Sequence, residues 1–210
     1  DRCVSQMKYL AENIQNEKVK QVILNDIAMK YVKKNGIRNI TDLENIYNAY
    51  VTDPDLRAAY KEIRDQWDLT SVGRPSPDFK GQDINGKTLS LKDFNGKYLY
   101  IDVWATWCGP CKKEIPFLKE LEKKFEGKNI TFLSLSTDQN KTDWENMVKS
   151  GELSGTQLLI GRGSQFQKDY NINGIPHFIL LDPEGKIVNA SMIRPSSPDI
   201  EKVLNALPGI

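Results

Sequence analysis

Along the first third of the chain, apolar residues recur at helical spacing: Val4, Met7, Leu10 and Ile14; Val19, Val22, Ile23 and Ile27; Leu43, Ile46, Tyr47 and Tyr50; Leu56, Tyr60, Ile63 and Trp67. The pattern predicts four amphipathic helices, and their ends carry signals. Lys-Lys-Asn-Gly stops a helix around Gly36, Thr41–Glu44 reads as a capping box, and Asp53 reads as an N-cap ahead of Pro54 at the first helical position. Residues 1–69 are therefore expected to form a small all-α domain.

Between Thr70 and Pro77 the periodicity stops in favour of glycine, proline and serine, so 70–77 is expected to be a linker. Beyond it, 78–210 changes class. Residues 97–105 and 129–137 are buried-strand runs on either side of a helix-like stretch that begins at Cys111, a β-α-β unit with a right-handed crossover as the default. A short helix over 141–151, a short strand over 156–160 and a helical turn or two over 164–172 follow. Residues 177–182 and 186–192 form a hairpin across Pro183, Glu184 and Gly185, and 197–207 closes as a helix capped near Ser197.

Composition narrows the partners. Lys and Arg number 29 against 28 Asp and Glu, a net charge of +1. No long block of one sign would track a phosphate backbone, so nucleic acid is not an expected partner. No apolar run approaches the roughly 20 residues that span a bilayer. The start has no signal-peptide pattern and no Met, which suggests a processed or truncated chain with a leader or lipid anchor upstream. Three cysteines are too few for a disulfide scaffold, and an odd count leaves Cys3, near the terminus, as the odd one out.

The chemistry lies at Cys108 and Cys111, two residues apart at the mouth of a helix. Structural zinc wants four ligands, and beyond this pair the chain offers only Cys3 and its single histidine, His177. Two inert buried thiols would leave the preceding strand and the following helix without a purpose. A redox pair accounts for both. The first thiol meets the positive end of the helix dipole and its unpaired N–H groups, which stabilise a thiolate, and the second lies one turn on, within disulfide reach. Gly109 leaves the sulfur open to approach, and Pro110 lacks only an N–H that would be unpaired anyway.

"YIDVWATWCGPCKKEIPFL" together with "NINGIPHFILLDPEGKIV" resembles thioredoxin. With the lead-in from Gly73, the stretch from about Pro75 to Leu207 resembles the membrane-anchored or secreted bacterial TlpA/ResA group; residues 1–70 resemble no family we can name. The resemblance implies an α/β thioredoxin fold, a central mixed sheet flanked by helices, behind the small all-α domain. It implies a protein disulfide oxidoreductase in which Cys108 attacks and Cys111 resolves. Pro176 matches the family's cis-proline, leaving the Ile175 backbone to pair with an extended substrate segment. Asp102 matches a buried aspartate that takes the Cys111 proton, although strand alternation alone allows either face. Glu114 matches an acidic residue that tunes the thiols. Trp107, and with it Trp104, lines the site beside Gly109 and Pro110, and Pro116 matches a helix-kinking proline. Two departures stand out: Ser134 replaces a lysine near the buried aspartate, and His177 replaces the usual threonine after the cis-proline, where it can modulate the thiolate or contact substrate.

Further implications are a disulfide-bearing protein substrate, an upstream dithiol reductant, no organic cofactor or metal, and a periplasmic or cell-envelope location. Two other functions stay open at this point. A thiol peroxidase shares the fold but needs a threonine three residues before its reactive cysteine, where this chain has Ala105. A redox-regulated binding module would use the helical domain for a partner or a homodimer.

Overall fold

The computed structural model describes residues 2–37 and 39–210. The chain divides after Asp68 into two compact units. The first holds α1 (Arg2–Asn13), α2 (Glu17–Asn35), α3 (Thr41–Tyr50) and α4 (Pro54–Asp68). Its core gathers Met7, Leu24, Ala28, Val32, Leu43, Tyr47 and Tyr60. Tyr47 stacks on Tyr60 with ring centroids 4.2 Å apart, and its hydroxyl donates to Asn25 Oδ1 at 2.9 Å, which satisfies that buried amide oxygen.

The end signals hold in part. Gly36 closes α2 at φ +72°, its N–H on the Val32 carbonyl, a backbone conformation that favours glycine. Asp53 Oδ1 accepts from the backbone of Asp55 and Leu56, the N-cap expected ahead of Pro54. The capping box at Thr41 does not form: Ile40 occupies the cap position without a side-chain bond. Glu44 instead accepts from Arg64 Nε at 2.7 Å and from the Tyr60 hydroxyl at 3.3 Å. The face expected for α2 is also rotated. Leu24, Ala28 and Val32 are buried, with the stem of Lys20, whereas Val19 and Val22 stand 47% and 55% exposed. A lysine stem can cover core while its ammonium reaches Glu17, so the charged residue hid the true stripe.

The second unit holds β1 (Lys80–Gln82), β2 (Thr88–Ser90), β3 (Tyr98–Trp104), α5 (Gly109–Lys124), β4 (Ile130–Ser136), α6 (Lys141–Lys149), β5 (Thr156–Leu159), α7 (Gln165–Asp169), β6 (His177–Leu181), β7 (Ile187–Asn189) and α8 (Ile200–Asn205). The strands form one mixed sheet in the order β2-β1-β5-β4-β3-β6-β7. β3, β4 and β5 run parallel, and the outer pairings are antiparallel. Every residue of β3 is buried. Leu99, Ile101 and Val103 pack on one face with Phe79, Phe166 and Tyr170. Tyr98 and Tyr100 pack on the other with Leu118, Leu121 and Phe125 of α5 and Ile200 and Leu204 of α8.

Three local expectations need correction. The hairpin of β1 and β2 was not anticipated, because strands of three residues carry no periodicity; its signal was the Asn85-Gly86 turn, held by Asp83 Oδ1 on the N–H groups of Asn85 and Lys87. The 70–77 segment is bound rather than spanning: Gly73 and Ser76 donate to the carbonyls of Ile187 and Gly185 at 2.7 and 2.9 Å, and the Ser76 and Tyr170 hydroxyls lie 2.6 Å apart. Finally, α8 starts at Ile200 rather than at Ser197, whose hydroxyl and carbonyl accept from the N–H groups of Asp199 at 3.4 Å and Ile200 at 3.2 Å.

Candidate active site

β3 ends in the interior, and the chain turns through Ala105, Thr106 and Trp107 before entering α5. Cys108 is the N-cap of α5, and the Cys111 N–H donates to its Sγ at 3.1 Å. The two cysteines form a disulfide with their Cα atoms 5.2 Å apart. Pro110 stands in the first helical turn, and a side chain at Gly109 would meet no atom within 4 Å, so the sulfurs are approached across open space. Trp107 is 63% exposed beside them, whereas Trp104 is buried beneath with Trp144.

Antiparallel pairing sets Val103 of β3 opposite His177 of β6, which brings the preceding loop to the cysteines. The Ile175–Pro176 bond is cis. The Ile175 carbonyl oxygen lies 3.7 Å from Cys108 Sγ. Pro176 and His177 border an open cleft of about 470 Å³ with Met192, Arg194, Ser196 and Ser197. The His177 ring donates from Nε2 to the Ala190 carbonyl at 2.8 Å, which fixes its tautomer, and burial lowers its pKa, so the ring is neutral at pH 7. That bond commits Nε2 to the loop after β7.

Asp102 points to the α5 face of the sheet and is 7% exposed. Its Oδ1 has no hydrogen-bond partner among the described residues. Burial, then the charges of Glu114 and Glu122, push its pKa up to about 8. Ser134, in place of the lysine, lies directly beside it in the register of β4. Glu114 is buried in α5 and accepts from the N–H and hydroxyl of Ser196, both at 2.9 Å, with Arg194 Nη1 at 3.6 Å. It thereby ties the cleft's far wall to the cysteine helix while adding negative charge above Asp102.

One residue escaped the sequence reading. Asp138, buried just past β4, accepts from the Thr106 N–H at 3.0 Å, the Thr106 hydroxyl at 2.7 Å and the Ser136 hydroxyl at 2.7 Å. It pins the turn that presents Trp107 and Cys108. Its signal was the Ser-Thr-Asp run that leaves a buried strand, where a carboxylate needs a fixed set of donors.

Comparison with known proteins places this geometry. The Redoxin family model matches residues 71–207. The chain belongs to the Redoxin family. Thiol-disulfide oxidoreductase ResA of Bacillus thuringiensis subsp. konkukian is 31% identical over 136 residues, 65% of this chain and 78% of that one. A Bacteroides vulgatus solution structure, provisionally described as a thiol-disulfide oxidoreductase, is 58% identical with a TM-score of 0.58, covering 63% of this chain and 88% of its own. The crystal structure of the thioredoxin domain of a second B. vulgatus thiol-disulfide oxidoreductase is 34% identical with the same TM-score, 0.58, covering 64% and 96%. This Redoxin-family chain, like them, is a thiol-disulfide oxidoreductase built on a thioredoxin fold.

Two outcomes follow from the site. Asp102 binds its proton more tightly in the folded protein than in the unfolded one, so between about pH 4 and about pH 8 the native state holds the extra proton and stability falls as pH rises. Denaturant titrations of the oxidised protein should show this loss, up to roughly 5 kcal/mol, and Asp102→Asn should remove it; an identical pH slope in the variant would sink the assignment. Asp138→Ala should cost about 2–4 kcal/mol and slow disulfide reduction about tenfold or more by freeing Thr106. An unchanged rate would show that the turn holds itself.

Proposed function

We propose that the protein reduces disulfides in partner proteins through a Cys108–Cys111 dithiol/disulfide cycle. The observation that carries this reading is the Ile175 carbonyl beside Cys108 Sγ, at 3.7 Å, ahead of a cis-proline at the edge of an open cleft. An extended partner segment pairing with the Ile175 backbone brings its own disulfide to Cys108 across the gap above Gly109, with Trp107 and Pro176 flanking it. Pro110 starts the helix that carries both thiols, and His177 shapes the cleft floor.

In the cycle, Cys108 thiolate attacks a partner sulfur, and the other partner sulfur leaves with the electron pair. Asp102 takes the Cys111 proton, and Cys111 attacks Cys108 Sγ. The Cys108–partner bond breaks, the partner departs reduced by two electrons, and the pair is oxidised by two. A dithiol protein upstream restores the thiols. Glu114 keeps Asp102 basic and the cleft wall in place. Gly109, Pro110 and Ile175 match thioredoxin, and no histidine between the cysteines stabilises the thiolate, which favours a reducing pair. Ala105, fully buried, stands where a peroxidase needs threonine, so that alternative has no support.

A periplasmic or cell-envelope location, with an anchor outside the chain given, belongs to the same reading and rests on resemblance to the TlpA/ResA group. For residues 1–69, a homodimer or a docked partner is the second reading, supported by Val19 and Val22, exposed on one face of α2.

The reduced protein should accelerate dithiothreitol-driven reduction of insulin. Cys108→Ser should bring the rate to background, and Cys3→Ser should leave it nearly unchanged, because burial raises the Cys3 thiol pKa. Cys111→Ala should accumulate mixed disulfides whose partners mass spectrometry identifies. Full activity in Cys108→Ser would remove the proposed chemistry.

Direction is a separate outcome. Equilibration in a glutathione or dithiothreitol buffer should place the potential nearer thioredoxin's value of about −270 mV than DsbA's of about −120 mV. A potential above about −180 mV would mean that the pair oxidises or isomerises its partners instead.

A further inference from the structure

If Asp102 is the base for Cys111, as proposed above, its proton needs a way out. In the oxidised protein the carboxyl already carries one, so it must discharge before it can accept another. On the α5 face, one register row of the sheet runs polar across three neighbouring strands: Asp102 of β3 pairs with Ser134 of β4, and Ser134 with Gln157 of β5. These three border a small cavity of about 10 Å³ together with Trp104, Ser154 and Lys119. Three side-chain atoms of its wall are buried without a hydrogen-bond partner among the described residues, Asp102 Oδ1, Trp104 Nε1 and Gln157 Oε1, and the Ser154 hydroxyl on the same wall faces the Glu122 carboxylate just outside the cavity.

Orphaned polar atoms in a core cost about 1–3 kcal/mol each, and a cavity of this size is at the lower limit for one water molecule, which needs two to four polar partners. The neighbourhood supplies both donors and acceptors.

Glu122 is fitted into place here. It leaves the last turn of α5 toward the loop before β5, and a Cβ at Gly155 would lie 2.5 Å from its Oε1 and 3.2 Å from the Phe132 carbonyl. Gly155 is at φ +66°, so both the space and the backbone reserve that position for glycine. Glu122 is half-buried and more open to solvent than Asp102, which is buried. The charged groups around Asp102 are Glu114 and Glu122 from α5, and Lys119 of α5 borders the cavity with its ammonium turned outward to the Gly151 carbonyl.

We propose that Glu122 is the proton outlet of the active site: a water held among the unpaired atoms of Asp102, Trp104 and Gln157 passes the proton from the Asp102 carboxyl, through the Ser154 hydroxyl on the cavity wall, to the Glu122 carboxylate, which releases it to solvent. Each turnover then moves one proton from Cys111 Sγ to Asp102 and from Asp102 to the water; the water gives one of its own to Ser154 Oγ as that hydroxyl gives its proton to Glu122, and Glu122 releases one to bulk. Glu122 is a positioning and transfer residue that never touches the partner protein.

The direct test is the rate at which the protonated Asp102 carboxyl of the full-length oxidised protein exchanges with deuterated solvent, followed by infrared spectroscopy on the carbonyl band absent from Asp102→Asn. Glu122→Gln, which preserves shape, should slow that exchange about tenfold or more, and Glu122→Asp should recover part of it. In single turnovers, imidazole in the buffer should restore the Cys111 resolution step in Glu122→Gln while leaving the wild type unaffected. Exchange at the wild-type rate in Glu122→Gln overturns the proposal, and so does slowed resolution that imidazole cannot rescue, since that is a charge effect alone. Unimpaired resolution in Asp102→Asn would instead refute Asp102 as the base, and the exchange rate, read without turnover, would still decide the outlet.

Discussion

The second unit depends on β3 being covered on both faces and paired on both edges. A strand in that position has no freedom of register: a slip of one residue would exchange Leu99, Ile101 and Val103 for Tyr98, Tyr100 and Asp102 between two different cores. Because β3 is locked, its C-terminal end is a fixed point. The turn to α5 leaves from it, β6 brings Pro176 alongside by pairing with it, and β4 delivers Asp138 to the turn by running parallel to it. Cys108 is thus placed by three strands at once, and the open space above Gly109 is bounded by rigid elements.

The same burial divides the charge around the disulfide. Cys108 faces the N-terminal end of α5, where unpaired N–H groups and the helix dipole favour an anion. Beneath the pair, Asp102, Glu114 and Glu122 crowd carboxylates into a region with Ser134 where a lysine would offset them. Like charges and desolvation act in one direction there, against ionisation. One sulfur is therefore served by a site that holds a negative charge, and the other lies above a site that holds a proton. The two cysteines differ by environment, although they are three residues apart in one helical turn.

The chemistry was legible in the sequence because it depends on local order: two thiols spaced by one helical turn, a glycine, a proline, and a second proline before a buried strand. Asp102 was legible only through the resemblance, since alternation along β3 cannot say which face a residue takes when both faces are core. The misreadings share one cause. Lys20 masked the inner face of α2 because its stem and its charge serve different environments, and Thr41 looked like a cap because spacing is blind to where a helix begins in space. β1 and β2 escaped because three residues are too few to show a period. Asp138, Gln157 and Glu122 had no sequence signal as a group, since only the sheet register and the packing of α5 bring them near the site.

Among those three, Glu122 shows how a carboxylate comes to be retained in a core. An acid half-buried beside the loop before β5 is costly, and α5 could cover the sheet with leucine at that turn, as it covers β3 and β4 at Leu118 and Leu121. Glycine at Gly155 carries a further cost, because it leaves the loop before β5 less constrained in the unfolded chain than any other residue would. Neither cost improves the packing of the sheet. Both are accounted for if, as proposed, Asp102 gains and loses a proton in each cycle and the carboxylate is kept for that chemistry. Stability given up at one spot next to a reacting centre is the usual mark of a functional constraint, and here the spot connects a buried proton to solvent.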